Sequence, residues 1–196
     1  MRPKQVFPSY NWEGNSGIDK LKYCPHCGME CILNKRGGRE RPVCQSCGYV
    51  HFRNPYPGVV VLIKQDERVL LGKRAPGKFR DGKWCLPGGF IEFDEDFLTA
   101  ANREVKEETG FEVEIQSIIS VVTNYLTAEL HTLVIVLLAK VISGTLTTSE
   151  ELDTLKWFPL SGPLPEMAFD ADKHIIERYY LTRINGAPVD PEQHII

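Results

Sequence analysis

The decisive stretch is Gly89-Phe-Ile-Glu-Phe-Asp-Glu95-Asp-Phe-Leu-Thr-Ala-Ala-Asn-Arg103-Glu104-Val-Lys-Glu107-Glu108-Thr-Gly110-Phe111. Pro87, Gly88 and Gly89 disfavour a helix, whereas Asp94 to Thr109 is rich in Ala, Leu, Glu and Lys and stops at Gly110. The spacing therefore predicts a loop, then a helix, then a left-handed turn. Asp94, Glu95 and Asp96 stand at the helix start, where the dipole favours negative charge. Glu104, Glu107 and Glu108 stand at i, i+3 and i+4, so they leave one helix face close together. Like charges at that spacing cost a helix roughly a few tenths of a kcal/mol each, and here they lie at the end the dipole makes unfavourable. A hard divalent cation, Mg²⁺ or Mn²⁺, offsets the repulsion, because such ions are held by one or two carboxylates plus phosphate oxygens. An isolated Glu pair would instead read as a solvated helix end, with Arg103 and Lys106 as counter-charges.

The preceding glycine loop makes the pattern more specific. The spacing G-x5-E-x7-R-E-U-x-E-E-x-G-U, with U bulky and apolar, is filled at Gly89, Glu95, Arg103, Glu104, Val105, Glu107, Glu108, Gly110 and Phe111. On these residues the chain resembles the Nudix hydrolases, whose box this is. The resemblance covers 58–183 as a layout and is specific over 84–111. It implies an α/β/α sandwich with a mixed sheet and attack of water on a diphosphate that joins a nucleoside to a second group. It also implies Glu104 and Glu108 as the main Mg²⁺ or Mn²⁺ ligands and Glu107 as a further ligand or water-orienting base. The backbone carbonyl of Gly89 would complete that site, and Arg103 would pair with Glu95 as structural support. Cations are needed because hydroxide must reach an already anionic phosphorus.

In this family a general base often comes from a later loop, and Thr147 to Leu152 is the matching place. Glu151 is the better aligned of Glu150 and Glu151, and both read equally well as surface charges of a polar turn. Arg74, Lys78 and Arg80, ahead of the box, are candidates for phosphate contact, Arg74 foremost because it ends a strand. Tyr125 and Phe169 are candidates for stacking on adenine, although aromatic residues more often serve packing.

A second motif precedes the box. Cys24-Pro-His-Cys27-Gly28 and Cys44-Gln-Ser-Cys47-Gly48 are two C-x2-C-G knuckles separated by sixteen residues, with Gly37-Gly38 between them. Two such knuckles predict a four-cysteine zinc ribbon over 21–52, in preference to a redox pair. Cys31 and Cys85 are left over as small apolar residues, and His26 inside a knuckle is expected to be exposed. A ribbon this small keeps no core of its own, so Zn²⁺ supplies its folding free energy.

The rest of the chain sets limits. Its 196 residues hold one ordinary domain plus a small module, and 42% hydrophobic with 25% charged residues is a globular composition. The apolar runs fall short of the about 18 residues that cross a bilayer, and the N-terminus has no apolar signal core, which predicts a cytoplasmic protein. Net charge −3 argues against strong nonspecific binding to nucleic acid. Residues 1–20 read as a flexible arm, 53–57 as a stiff connector and 184–196 as a tail. Strands are expected at Val59–Ile63, Arg68–Leu71, Trp84–Leu86, Phe111–Val122, Leu133–Val141 and Leu155–Phe158, with a closing amphipathic helix over Asp170–Arg183.

A ribbon ahead of such a domain resembles the NADH diphosphatases. Their S-Q-P-W-P-F-P-x-S array after the box is absent here, where Ser120-Val-Val-Thr-Asn-Tyr-Leu-Thr-Ala-Glu129 stands. The expected substrate is thus an ADP-containing diphosphate, in the order ADP-ribose, FAD, NADH, and family resemblance implies a homodimer. A different class of reading is nucleic-acid or protein binding through the ribbon, or removal of RNA caps. Lys20, Lys22, Lys35, Arg36, Arg39 and Arg41 favour it, and the lack of interleaved aromatic residues opposes it.

Overall fold

The structure, a computed structural model, describes residues 1–2, 4–12 and 21–190. In chain order the elements are β1 (Val6–Pro8), β2 (Cys31–Arg36), β3 (Arg39–Cys44), β4 (Tyr56–Gln65), β5 (Arg68–Arg74), β6 (Trp84–Cys85), α1 (Phe97–Thr109), β7 (Phe111–Tyr125), β8 (His131–Gly144), β9 (Leu152–Pro159), α2 (Asp170–Thr182) and β10 (Ala187–Pro188). An eight-stranded sheet runs β1-β7-β8-β4-β5-β6, with β10 beside β7 and β9 beside β5. The pairs β4–β8 and β1–β7 are parallel and the others antiparallel, so the sheet is mixed as expected.

Period-two alternation explains how one sheet serves two helices. On one face Val59, Val61, Ile63, Leu70 and Leu137 meet Ala100, Ala101 and Val105 of α1. On the other, Leu62, Val69, Leu71, Val136 and Leu138 meet Ala171, Ile175, Ile176 and Tyr179 of α2. Each fully buried aliphatic side chain contributes roughly 1.5–3 kcal/mol, so the two faces together clamp the sheet into an α/β/α sandwich.

The helix that bears the glutamates begins later than expected. Asp96 caps it, its Oδ1 accepting from the N–H of Leu98 at 2.8 Å and of Thr99 at 3.0 Å, which ends the helix at Phe97 on that side. At the other end Gly110 takes φ 74°, and its N–H bonds to the Lys106 carbonyl, as the left-handed stop requires.

Before the sandwich, β2 and β3 form an antiparallel hairpin turned at Gly37 and Gly38, both at positive φ. It carries the two cysteine knuckles at its base, paired through Cys31 and Cys44.

Three segments differ from expectation. The arm contains β1, which pairs Val6–Pro8 with Thr123–Tyr125 and buries Phe7 to 5% exposure. A three-residue strand has too few positions to display a period, and the open edge of β7 supplies its hydrogen bonds. The connector is shorter than expected because β4 begins at Tyr56, where β8 offers Thr132 and Leu133 as partners. The tail returns to the sheet at Ala187–Pro188 against Ile118 and Ser117. Within the expected arm and tail, residues 3, 13–20 and 191–196 lie outside the described residues. No helix among the described residues is long and apolar enough to cross a membrane.

Because Phe7 is anchored in the core beside Ile119, Val122 and Ile175, Phe7→Ala is expected to lower unfolding free energy by about 3 kcal/mol. Urea denaturation followed by tryptophan fluorescence measures it; a change within about 0.5 kcal/mol would mean the arm is only laid on the surface.

Candidate active site

The loop before α1 lies along β4. Val61 N–H bonds to the Pro87 carbonyl and Val59 N–H to the Gly89 carbonyl, each at 2.9 Å. Glycine is required at Gly88, and at Gly89 a larger residue would displace the Glu104 carboxylate. At Gly88, with φ 149°, a Cβ would stand 2.2 Å from the Val59 carbonyl oxygen; at Gly89 it would stand 2.3 Å from Glu104 Oε1. The backbone thus comes close enough for Gly88 N–H to donate to Glu108 Oε2 at 2.9 Å and for the Glu104 carboxylate to lie against Gly89.

Arg103 binds the other side of this loop. Its Nε and Nη2 donate to Glu95 Oε2 and Oε1 at 3.0 and 2.6 Å, and Nη2 also reaches the Phe90 carbonyl at 3.2 Å. Its Nη1 donates to Glu104 at 2.9 Å and Glu107 at 3.2 Å. The expected Arg103–Glu95 pair is present, and the same guanidinium also stands between two of the glutamates.

Glu104, Glu107, Glu108, Gly89, Glu151 and Arg74 all line one cleft of about 670 Å³. The glutamates do not converge as tightly as their spacing suggests. Among the described residues, no three acidic side chains bring oxygens within 4.8 Å of one another. The reason lies in their partners: Arg103 draws Glu104 and Glu107 toward itself, and Glu108 turns to Gly88. Arg80 does not line the cleft. Its guanidinium donates to the Ala168 carbonyl and to Ser9 Oγ, and lies over the rings of Phe79 and Phe169.

The carboxylates sense one another. Burial pushes Glu108 up to about 8; the Gly88 N–H opposes this, while Glu104 and Glu151 add to it. Glu104, half-buried, is also raised, by burial first, with Arg103 opposing and Glu107 and Glu151 adding. Glu151 is exposed and sits 3.9 Å from Lys78 Nζ. Burial is thus the main cause for both acids, and the neighbouring carboxylates add to it.

Sequence reasoning missed a further acid of the same cleft. Asp172 in the first turn of α2 lines it at 3% exposure, and its Oδ2 accepts from Leu86 N–H at 3.0 Å. Burial raises this carboxyl to about 7 against the Leu86 bond and the charges of Arg74 and Arg80. Also lining the cleft, Asn124 Nδ2 donates to Thr132 Oγ1 at 3.2 Å between β7 and β8. An acid at a helix start reads from sequence as a dipole effect, and Asn124 and Thr132 read as ordinary strand residues, so no motif marks them.

In the ribbon, the Sγ atoms of Cys24, Cys27, Cys44 and Cys47 all lie within 4.8 Å of one another. Cys24–Cys47 and Cys27–Cys47 are 3.6 Å apart and Cys27–Cys44 3.4 Å. A tetrahedron with Zn–S bonds of about 2.3 Å has edges of about 3.8 Å, so the donor set and its spacing fit zinc. Amides point back at the sulfurs, His26 N–H to Cys24 at 3.4 Å and Cys47 N–H to Cys44 at 3.5 Å. Cys85 is buried, Cys31 half-buried and His26 exposed.

Comparison with known proteins agrees with this geometry. The family described as NUDIX domain matches residues 54–179. An ADP-ribose pyrophosphatase of Methanocaldococcus jannaschii is 36% identical over 67% of this chain and 76% of that protein. The NAD-capped RNA hydrolase NudC of Pseudomonas aeruginosa PAO1 is 31% identical over 87% of this chain, which spans only 60% of that protein's length. Among solved structures, a NUDIX hydrolase from Nitrosomonas europaea superposes with a TM-score of 0.72 at 29% identity, covering 86% of this chain and 96% of the other. With a family match across most of the chain, over the glycine loop and glutamate helix described above, this protein belongs to the Nudix family of hydrolases.

Proposed function

We propose that the chain hydrolyses the diphosphate of an ADP-containing nucleoside derivative, ADP-ribose before FAD and NADH, to AMP and a phosphorylated product. The observation that carries the reading is the gathering of Glu104, Glu108 and Glu151 around one cleft, where burial first, and then Glu104 and Glu151, raise the proton affinity of Glu108. Such a cleft fits a divalent cation together with its anionic ligand. Glu104, Glu108 and the Gly89 carbonyl hold Mg²⁺ or Mn²⁺ in this reading, with Glu107 as a further ligand once Arg103 yields it. When bound, the ion supplies charge screening for the diphosphate and its leaving oxygen. Glu151, exposed beside the buried acids, takes a proton from the attacking water. Arg74 meets the phosphates, and Arg80 fixes the aromatic wall of Phe79 and Phe169.

The name of the archaeal relative supports ADP-ribose as the first substrate to test. Zn²⁺ on the four cysteines is structural, because four thiolates leave no open position. A homodimer and a cytoplasmic location belong to the same proposal on family resemblance alone. A second reading, hydrolysis of NAD-capped RNA, is favoured by the names of the bacterial relatives and by Lys35, Arg36 and Arg39, exposed around the ribbon hairpin. Lys20 of that basic set lies outside the described residues.

Purified protein with Mg²⁺ or Mn²⁺ is expected to release AMP from ADP-ribose; release from none of ADP-ribose, FAD, NADH and NAD-capped RNA would refute the reading. Glu104→Gln should lower kcat about a thousandfold, roughly 4 kcal/mol, without lowering Tm.

The raised carboxyls also set a pH dependence. Glu108 and Asp172 bind protons more tightly folded than unfolded, so their contribution to stability is full at low pH. It is lost as pH climbs from their ordinary values near 4.5 and 3.8 through about 8 and about 7. Thermal melts without divalent cation should therefore show Tm falling across that window, and Mg²⁺ should recover the part due to Glu108.

Elemental analysis should find one zinc per chain in wild type and none in a Cys44→Ser, Cys47→Ser variant. Chelation should lower Tm; protein that carries no zinc and melts identically would remove the metal from the ribbon.

A further inference from the structure

We propose that Arg53 is a positioning residue that ties the cysteine module to the cleft. It holds the turn between β7 and β8, whose leucines line the cleft, and it does so only while the module keeps the segment before it in place. The link applies to any substrate of the cleft and does not rest on the choice of ADP-ribose.

The turn closes on itself. Leu126 N–H and Thr127 N–H bond to the Leu130 carbonyl at 3.1 and 3.2 Å. Thr127 Oγ1 accepts from Glu129 N–H at 3.2 Å and from Leu130 N–H at 3.1 Å. Leu126 and Leu130, both half-buried, line the cleft. The carbonyls of Ala128 and Glu129 are consecutive, and one nitrogen serves both: Arg53 Nη2 donates to them at 3.1 and 3.0 Å. A cationic donor binds a carbonyl more strongly than a neutral one does. The strands behind the turn are held separately by the arm. Tyr10 Oη and His131 Nε2 lie 2.5 Å apart, and Trp12 stacks on Tyr125 with ring centroids 4.3 Å apart. Arg53 therefore acts on the tip, the part that carries the two leucines.

Arg53 is itself set by the module. After the second knuckle the chain turns back along β3: Cys44 N–H bonds to the Tyr49 carbonyl at 2.8 Å, Val50 bridges Val43, and His51 N–H bonds to the Pro42 carbonyl at 2.9 Å. The Arg41 guanidinium lies over the Phe52 ring at 4.6 Å. Residues 49–52 are thus laid on β3, and Arg53 follows directly. A metal held by the four thiolates fixes the knuckle from which this segment starts; without it the segment loses that anchor. Contact alone does not establish coupling, which a mutant cycle measures.

Amide hydrogen exchange of the full chain, read by NMR without added Mg²⁺, measures the coupling at Leu126, Thr127, Glu129 and Leu130. Arg53→Met keeps an apolar stem and removes the donors, so exchange there should quicken about tenfold or more, with the β5 amides of Val69 to Leu71 unchanged. Zinc removal by chelation, or Cys44→Ser with Cys47→Ser, should quicken the same turn amides. Arg53→Met stripped of zinc should exchange there no faster than stripped wild type, because both lesions break one link. Unchanged turn exchange in Arg53→Met, lesions whose effects multiply, or an equal rise in β5 overturns the proposal. Chelated wild type and chelated Arg53→Met decide the matter even where the cysteine variant does not fold.

Titration calorimetry of AMP with Mg²⁺ reads the consequence at the cleft. Arg53→Met should weaken AMP by about threefold or more, and unchanged affinity overturns the proposal. Wild type that binds no AMP would count against the diphosphatase reading, and the exchange cycle would then decide the link by itself.

Discussion

A buried carboxylate tied to a glycine backbone governs this molecule. Glu108 is 4% exposed on α1 and accepts from Gly88 N–H, and Gly88 in turn is pressed on β4 where no other residue fits. That contact joins the helix, the loop and the central strand into one unit. Burial within that unit resists ionisation of the acid, and the Gly88 bond only partly opposes it. Arg103 works from outside the same unit, bidentate on Glu95 and touching Glu104 and Glu107. In the structure described, one nitrogen of this guanidinium donates to both Glu104 and Glu107 and offsets part of their charge.

The legibility of each part in the sequence followed the range of the interactions that made it. The box was readable because its residues act on one another within a single turn or across one short loop, so spacing alone reports their proximity. The Arg103–Glu95 pair and the stop at Gly110 stand where that spacing puts them. The knuckles were readable for the same reason, and their sulfurs meet. Apolar alternation in β4, β5 and β8 announced strands, but pairing order depends on contacts between distant segments, and only family resemblance supplied the sandwich.

What escaped notice is equally physical. β1 is too short for a period, and Phe7 gains its place from partners more than a hundred residues away, Ile119 and Ile175 among them. Asp172, Asn124 and Thr132 line one cleft from α2, β7 and β8, three elements whose sequences share no common pattern. Arg80 looked like any loop cation suited to phosphate, yet its left-handed backbone at φ 57° aims it at Ala168 and Ser9. The tight convergence expected of the three glutamates failed because helix spacing counts backbone positions and ignores where an arginine redirects their carboxylates.

The threading of the chain has a thermodynamic outcome. β1 and β4 belong to the same sheet, and the hairpin with its knuckles occupies the chain between them, so it is an inserted loop fastened at both ends. Closing such a loop costs configurational entropy that grows with the logarithm of its slack length, and four cysteines gathered on one centre shorten that slack. A metal held by those four cysteines would therefore favour assembly of the sheet through connectivity alone, with no side chain needed to carry the message.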